Sequence, residues 1–504
     1  MLLALAFTGG LASLGLEIAA SRLLAPFFGS STPIWGALIG LILLYLTVGY
    51  YVGGWAADRW PDPRRLYLVT ALSAFFALLV PSVSRPVLLF SRGALLSFQA
   101  APFAGALLGV ILLFAPCVVL LGMVSPWVIR LRVRDVAGSG RAAGSVYALS
   151  TAGSILGAFL PAFWWIPSYG TRATIYGLGG LLLGVSVVGL TALRVRAAAA
   201  FLLLGLPLGL AWLPYGPVRP AEFGRVIYDG ESEYGYIQVA QADSGERRLY
   251  LNEGEAIHSV YLPRGGLTGA YWDYPALAPA FAYPRFVDQK PASALVIGLA
   301  GGTVARQLTD AYGPVPIDGV EIDPRLIQVA RTYFHMTEPN VHAVAEDGRY
   351  FLETSDRKYD LIVVDAYRQP YIPFQLATRE FFESCRRHLT SHGVLMVNVA
   401  RFPDDRRLLD AVTGTLDAVF VEVYSLDVPG YLNTEVFAPN QTIPSAAVRT
   451  NLEAVTAGVP ALAGIQLDPA GPRLVEPHYP IWTDDLAPVE HIVDAMLLRA
   501  AGGR

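Results

Sequence analysis

The first 214 residues are a succession of long apolar runs, and this constrains the chain more than any other feature. A helix rises about 1.5 Å per residue, so crossing about 30 Å of hydrocarbon takes roughly 18 or more consecutive apolar residues. Runs of that kind lie near residues 3–27, 35–57, 66–89, 102–129, 143–167, 173–193 and 197–213. They predict a multi-span α-helical membrane domain over residues 1–214, with about seven spans in a lipid bilayer. The first run is too long, and too soon followed by the next, to read as a cleaved signal peptide. Charged residues make up 15% of the whole chain, against roughly 25% in an ordinary soluble protein. The deficit falls almost entirely on the first part, so a soluble domain is expected to follow.

Arginine placement gives a topology. The loops after the second, fourth and sixth runs carry Arg59, Arg64 and Arg65, then Arg130, Arg132, Arg134 and Arg141, then Arg194 and Arg196. The intervening loops hold Arg85, Arg92 and Arg172. An excess of arginine marks the cytoplasmic side of an inner or cell membrane, so the N-terminus is expected there. Seven crossings would then leave the following domain outside. The shortest run, 197–213, is broken by Pro207 and is therefore expected to be interfacial or re-entrant, which keeps that domain cytoplasmic. Glu17 and Arg22 fall inside the first run and should face other helices or the interface, because an unpaired charge in lipid is costly. Anchoring, delivery of substrate from the bilayer and formation of a homodimer all fit such a domain. A net charge of −4 argues against a nucleic-acid partner. The two cysteines, Cys117 and Cys385, read as small core residues.

The soluble part changes pattern twice. Over 223–290 short alternating runs, Tyr236–Val239 and Arg248–Leu251, read as a small antiparallel β-sheet forming a substrate or lid region. From 291 to 504 strands alternate with helices, the pattern of an α/β Rossmann-like domain with a parallel sheet. Its strands are expected at Ala294–Ile297, Ile317–Ile322, Val341–Ala345, Leu361–Asp365 and Val394–Asn398. Ligands bind such sheets at the C-terminal ends of the strands, and that is where the polar residues gather. The first strand runs into Gly298-Leu299-Ala300-Gly301-Gly302, where glycines let the backbone approach a nucleoside. Glu321 ends the second strand about twenty residues on, the position of an acid that grips ribose hydroxyls. Asp347-Gly348 ends the third strand and Asp365 the fourth. Any one of these acids could be a helix cap, but four strand-end features in order point to a nucleoside site.

These residues resemble the spermidine synthase family of aminopropyltransferases, whose fold is like that of class I methyltransferases. The resemblance rests on Tyr234, on Tyr271-Trp272-Asp273, on the glycine loop, on Glu321-Ile322-Asp323, on Asp347-Gly348 and on Asp365. The N-terminal part, with Glu17 and Arg22-Leu23-Leu24, resembles the membrane domain fused to such synthases in bacteria, as does Thr483-Asp484-Asp485 near the end. The resemblance implies a membrane-bound transferase. It would move the propyl-chain group of decarboxylated S-adenosylmethionine, or of S-adenosylmethionine itself, to a small amine and release methylthioadenosine. No metal is implied. It assigns Gly298, Ala300, Gly301, Gly302, Glu321, Asp347, Gly348 and His258 to the cofactor. Glu321 would hold ribose and Asp347 the adenine amino group. Asp365 would be the base, with Tyr271 and Asp273 orienting the amine. Tyr234 would contact substrate.

Three departures bear on substrate choice. The family's acid in the glycine loop is Ala300, the acid three residues past the base is Arg368, and the glutamine after the first tyrosine is Gly235. Arg368 as a substrate-binding residue would suit a carboxylate, which a guanidinium holds bidentately, and so would favour intact S-adenosylmethionine or an anionic acceptor. Two other functions compete. One is methyl transfer or lyase chemistry on the same fold. The other is a transporter or sensor whose nucleotide domain only binds ligand.

Overall fold

The computed structural model describes residues 1–28, 32–94, 101–133, 135–195, 198–209, 216–252, 256–368, 371–476 and 480–502. It divides into two units: Met1–Pro220 with Asp229–Ile237 and Asn252–Gly254, and the remainder of the chain.

The first unit is built from α1 (Leu2–Phe28), α2 (Thr32–Arg59), α3 (Pro63–Ala94), α4 (Ala101–Gly122), α5 (Val124–Arg132), α6 (Ser139–Leu160) and α7 (Ile166–Ala192). Among the described residues, five stretches are long and apolar enough to cross a bilayer. The fifth, Ser139–Ala192, is 54 residues long, far more than one crossing uses. It breaks at Gly170, where φ is 83° and ψ 165°, so α6 and α7 can act as two passes. Close contacts give their directions. Gly153 packs on Phe7 and Gly157 on Leu11, so α6 runs parallel to α1. Gly179 meets Leu78 and Gly189 meets Tyr67, so α7 runs against α3. Gly105 and Gly109 set α4 against α3, while Gly49 and Gly53 set it alongside α2. Helices α1, α3 and α6 therefore point one way and α2, α4 and α7 the other.

A Cβ at Gly153 or Gly157 would strike a backbone carbonyl of α1. Small residues at such a seam let helices associate by close packing where no water is available to drive them together. The seventh run differs from the others. Where described it is a 3-10 helix, Ala198–Gly205, followed by a single turn, α8 (Leu206–Gly209), and Gly205 lies against Leu183 of α7. The outer faces of the helices carry exposed Leu43, Tyr51, Trp55, Phe90, Phe163 and Trp164. That is the surface a hydrocarbon phase would cover.

A four-stranded sheet in the order β1–β2–β3–β4 follows, made of β1 (Arg225–Glu231), β2 (Tyr236–Gln241), β3 (Arg247–Leu251) and β4 (Ile257–Tyr261). After a 3-10 turn (Tyr271–Leu277) and α9 (Pro279–Ala282) comes the α/β domain. Its first half is β5 (Ala294–Ile297), α10 (Thr303–Tyr312), β6 (Ile317–Glu321), α11 (Pro324–Tyr333), β7 (Val341–Ala345), α12 (Gly348–Thr354) and β8 (Tyr359–Val364). Its second half is α13 (Arg379–Arg387), β9 (Leu389–Ala400), α14 (Arg407–Asp417), β10 (Tyr424–Asp427), β11 (Asn433–Pro439), α15 (Ser445–Gly458), β12 (Arg473–Leu474) and α16 (Val489–Gly502). The sheet order is β12–β10–β11–β9–β8–β5–β6–β7. Strands β5 to β9 pair in parallel, whereas β11, β10 and β12 close one edge antiparallel.

Alternation along the strands fills both faces. Val296, Leu361, Val363, Val394 and Met396 pack into one core with Phe281, Leu308 and Leu452, under the 3-10 turn, α9, α10 and α15. Leu295, Ile297, Ile362, Val364 and Val397 pack into the other with Phe381, Leu409 and Met496, against α13, α14 and α16. Strand order reverses between β5 and β8, and a crevice opens at the C-terminal ends of those two strands.

Candidate active site

Strand β5 ends at Ile297, and the chain must then turn sharply to start α10. Gly298 takes φ 91° with its α-carbon against the Asp365 carbonyl, where a Cβ would collide. Gly302 takes φ 81° and stands just before α10. Between them Ala300 adopts φ 46°, a conformation that costs an L-residue with a Cβ roughly 1–2 kcal/mol. The loop is held from two sides. Glu321 Oε2 accepts the Ala300 N–H at 2.9 Å, and Ser259 Oγ on β4 accepts the Gly301 N–H at 2.8 Å.

Glu321 is almost fully buried at the end of β6, and burial pushes its carboxyl up to about 7 against the backbone N–H groups of Ala300 and Asp323. Asp347 precedes α12 and caps it, accepting from the backbone N–H groups of Arg349 and Tyr350. Gly348 is pressed on the Ile297 side chain, so no larger residue fits there. The strand-end acids are therefore tied into the fold while standing together at one end of the sheet.

A cavity of about 640 Å³ opens beside the loop. Ala300, His258, Tyr271, Asp365, Asn398 and Arg401 are in its wall. Asp365 follows β8 directly and accepts one hydrogen bond, from Asn398 Nδ2 at 2.7 Å. Loss of solvent pushes its carboxyl up to about 7, and the Asn398 bond only partly opposes this. Tyr271 comes from the 3-10 turn and stacks near Trp272, its hydroxyl 3.4 Å from the Ile257 carbonyl. Among the described residues His258 Nε2, shut off from solvent, has no hydrogen-bond partner, and burial lowers its pKa to about 4, so the ring is neutral.

Other expected residues stand elsewhere. Asp273 is buried and bonds both ways into its own loop, Oδ1 to Thr268 at 2.8 and 3.0 Å and Oδ2 to the Gly269 N–H at 2.8 Å. It shapes the turn that carries Tyr271. Tyr234 lies exposed in the β1–β2 turn, within the segment that groups with the first unit, and outside the cavity wall. Gly235 leaves room for Asn252, whose Oδ1 accepts the Tyr236 N–H. Arg368 is exposed and its backbone pairs with Tyr371; it is not among the cavity residues. The arginines that do line the cavity are already engaged: Arg248 with Glu246 at 2.8 Å, and Arg401 with Asp427 at 3.3 Å.

Sequence reasoning missed Asn398 as the partner of Asp365, although its place at the end of a strand was a signal. It also missed Arg401, Tyr367 and Tyr431, which arrive from loops with no pattern of their own. A second cavity, of about 510 Å³, surrounds Asp318 and Arg357 at the opposite end of the strands. Asp318 there is spent on Arg357, Tyr359 and His342.

Fold and site together define a Rossmann-like domain with an antiparallel sheet ahead of it and acids at the ends of its parallel strands. Residues 280–439 match the family model of the spermine/spermidine synthase domain, so the C-terminal part of the chain carries a spermidine synthase domain. A probable polyamine aminopropyl transferase of Bifidobacterium longum is 35% identical over 299 residues, covering 55% of this chain and 65% of that protein. A polyamine aminopropyltransferase of Vibrio vulnificus is 36% identical over 146 residues, covering 28% and 48%. The chain thus spans less than two thirds of the length of either relative. The crystal structure of a probable spermidine synthase from Corynebacterium glutamicum aligns with a TM-score of 0.42 at 19% identity, over 56% of this chain and 95% of that one.

Proposed function

We propose that the protein is a membrane-bound aminopropyltransferase that moves the propyl-chain group of decarboxylated or intact S-adenosylmethionine to a small amine. The observation that carries this reading is Asp365. It stands at the strand-order reversal, in a cavity wall, with a carboxyl near 7. An amine attacks carbon only when it is unprotonated, so a base with a pKa near neutrality must take its proton. Asn398 holds one oxygen of Asp365 and leaves the other for that proton. Glu321 and Asp347 would grip ribose and adenine, and the glycine loop would let the nucleoside approach. The neutral His258 would line the same end of the cavity without adding charge beside a sulfonium. Tyr271 would orient the amine, and Asp273 would act by holding the turn that presents Tyr271.

The intact co-substrate was expected to find its counter-ion in Arg368. The exposure of that residue and the pairing of Arg248 and Arg401 support the decarboxylated form instead. The first unit would hold the enzyme in a bilayer, for which its apolar outer faces are the support. Mass spectrometry of products tests the whole reading. Purified protein supplied with either co-substrate and a panel of amines should release methylthioadenosine and an aminopropylated amine. Adenosylhomocysteine in its place would establish methyl transfer. Unaltered turnover in Asp365→Asn would rule out the proton-accepting role.

A further inference from the structure

The cavity beside Asp365 leads away from the nucleoside acids, since neither Glu321 nor Asp347 is in its wall. Its course follows β9. Asn398 holds Asp365, and Ala400, two residues on, turns to the same side roughly 7 Å further along the strand. Beyond Ala400 the wall becomes apolar. Phe402 comes from the loop after β9, Leu408 from α14 and Leu432 from the residue before β11. The Arg401 N–H donates to the Leu432 carbonyl at 2.8 Å and ties the two loops together. Helix α16 supplies Val493, Met496 and Leu497, which share a face because helix neighbours recur at three and four positions. That helix is fastened by Asp494, whose Oδ1 accepts the Tyr371 hydroxyl at 2.5 Å. Leu408, Val493 and Met496 are buried, whereas Leu432 and Leu497 are exposed, so the apolar wall runs from the core out to the surface.

Negative charge is sparse along this wall. Among the described residues its acids are Asp365 and Glu246, and Glu246 is paired with Arg248 at 2.8 Å. The guanidinium of Arg401 is balanced by Asp427, a carboxylate already shared with Arg406 at 2.9 Å. Glu435 lies wholly buried outside the wall, and burial holds its carboxyl well above the usual carboxylate range. One ammonium therefore finds a partner, at Asp365. A second one carried along the wall would shed its water with no anion in return, which is costly. A chain ending in methyl would instead cover apolar surface, and that favours binding.

We propose that the acceptor is a monoamine with an apolar tail, its nitrogen at Asp365 and its tail laid between Phe402 and α16. The inference rests on the aminopropyltransferase reading and names the acceptor class of that site. Asp365 and Asn398 meet the nitrogen, the end that reacts. The tail takes the apolar side, and the face of α16 sets how well a given length is held. Each added methylene that reaches the wall tightens binding about threefold to fourfold. The gain levels off once the tail passes Leu432 and Leu497 at the surface.

Calorimetry on the full chain in detergent, with methylthioadenosine present, tests this without turnover. Butylamine, pentylamine and hexylamine should bind with that stepwise gain. Diaminohexane, the diamine of equal length, should bind about tenfold more weakly than hexylamine or worse. Leu497→Asp sets a carboxylate on the wall at an exposed position and should shift the preference toward the diamine by about tenfold. A diamine that binds as well as hexylamine would overturn the proposal, as would a flat monoamine series; neither result needs a variant to fold. A preference unmoved in folded Leu497→Asp would overturn it too. Failure of the transferase reading shows separately, as no methylthioadenosine released with monoamines and diamines alike in the product assay.

Discussion

Asp365 and Glu321 are both acids lifted to about 7 by burial, but their charges serve opposite ends of the site. As the proposed base, Asp365 would work as a carboxylate, so activity belongs above its pKa. We expect kcat/KM to fall about tenfold per unit as pH drops below about 7 and to level off above it. Asp365→Asn should lower kcat by about a hundredfold or more and abolish that slope, which steady-state kinetics over pH 5–9 would measure. Glu321 couples to stability instead. Its folded pKa exceeds the unfolded one, so the folded state binds the extra proton and is favoured at low pH. That advantage is lost as pH rises from about 4.5 to about 7. Glu321→Gln should flatten this fall in thermal stability and raise KM for the nucleoside about tenfold or more, since an amide accepts ribose hydroxyls less strongly. A melting series across pH with both proteins checks the sign.

At the level of elements, the glycine loop and the helix seam are the places where size is decisive. Gly298→Ala would demand a Cβ at φ 91° against the Asp365 carbonyl. We expect a loss of about 2–4 kcal/mol in unfolding free energy, or no folded protein. Ala300→Gly acts in the other direction, relieving the left-handed strain at φ 46°, and should leave stability equal or up to about 1 kcal/mol higher. Chemical denaturation of the soluble region's transition would distinguish the two. In the first unit, Gly153→Leu should part α1 from α6, because the Phe7 carbonyl occupies the space of any side chain there. Loss of monodisperse protein on size exclusion in detergent is the readout.

For the whole molecule, the alternating helix directions constrain topology. Were these helices to cross a bilayer, six passes, α1 to α7 with α5 continuing α4, would return the chain at Leu193 to the side where it began. The arginine-rich loops lie on that side. The run that follows, where described, is a 3-10 helix with Gly205 against Leu183 of α7. A cysteine replacing Glu222 should then escape an impermeant thiol reagent in intact cells and react once they are opened. Labelling of intact cells would show a seventh crossing.

Much of this was legible in one dimension, because periodicity reports local partners. Long apolar runs predict helices that need hydrocarbon, strand–helix alternation predicts a parallel sheet, and strand-end acids predict where a nucleoside goes. Six of the apolar runs are helices in the structure, and the parallel strands lie where alternation put them. The sequence by itself therefore determined the two-part architecture, the Rossmann-like fold and the positions of Glu321, Asp347 and Asp365. Only the tertiary structure decided what those acids touch. It turned Asp273 into the brace of a loop, left Arg368 in solvent, and set Asn398 against Asp365 through a pairing of β8 with β9 that no local pattern encodes. Asp365 and Asn398 stand 33 positions apart in the chain and meet only when the sheet closes.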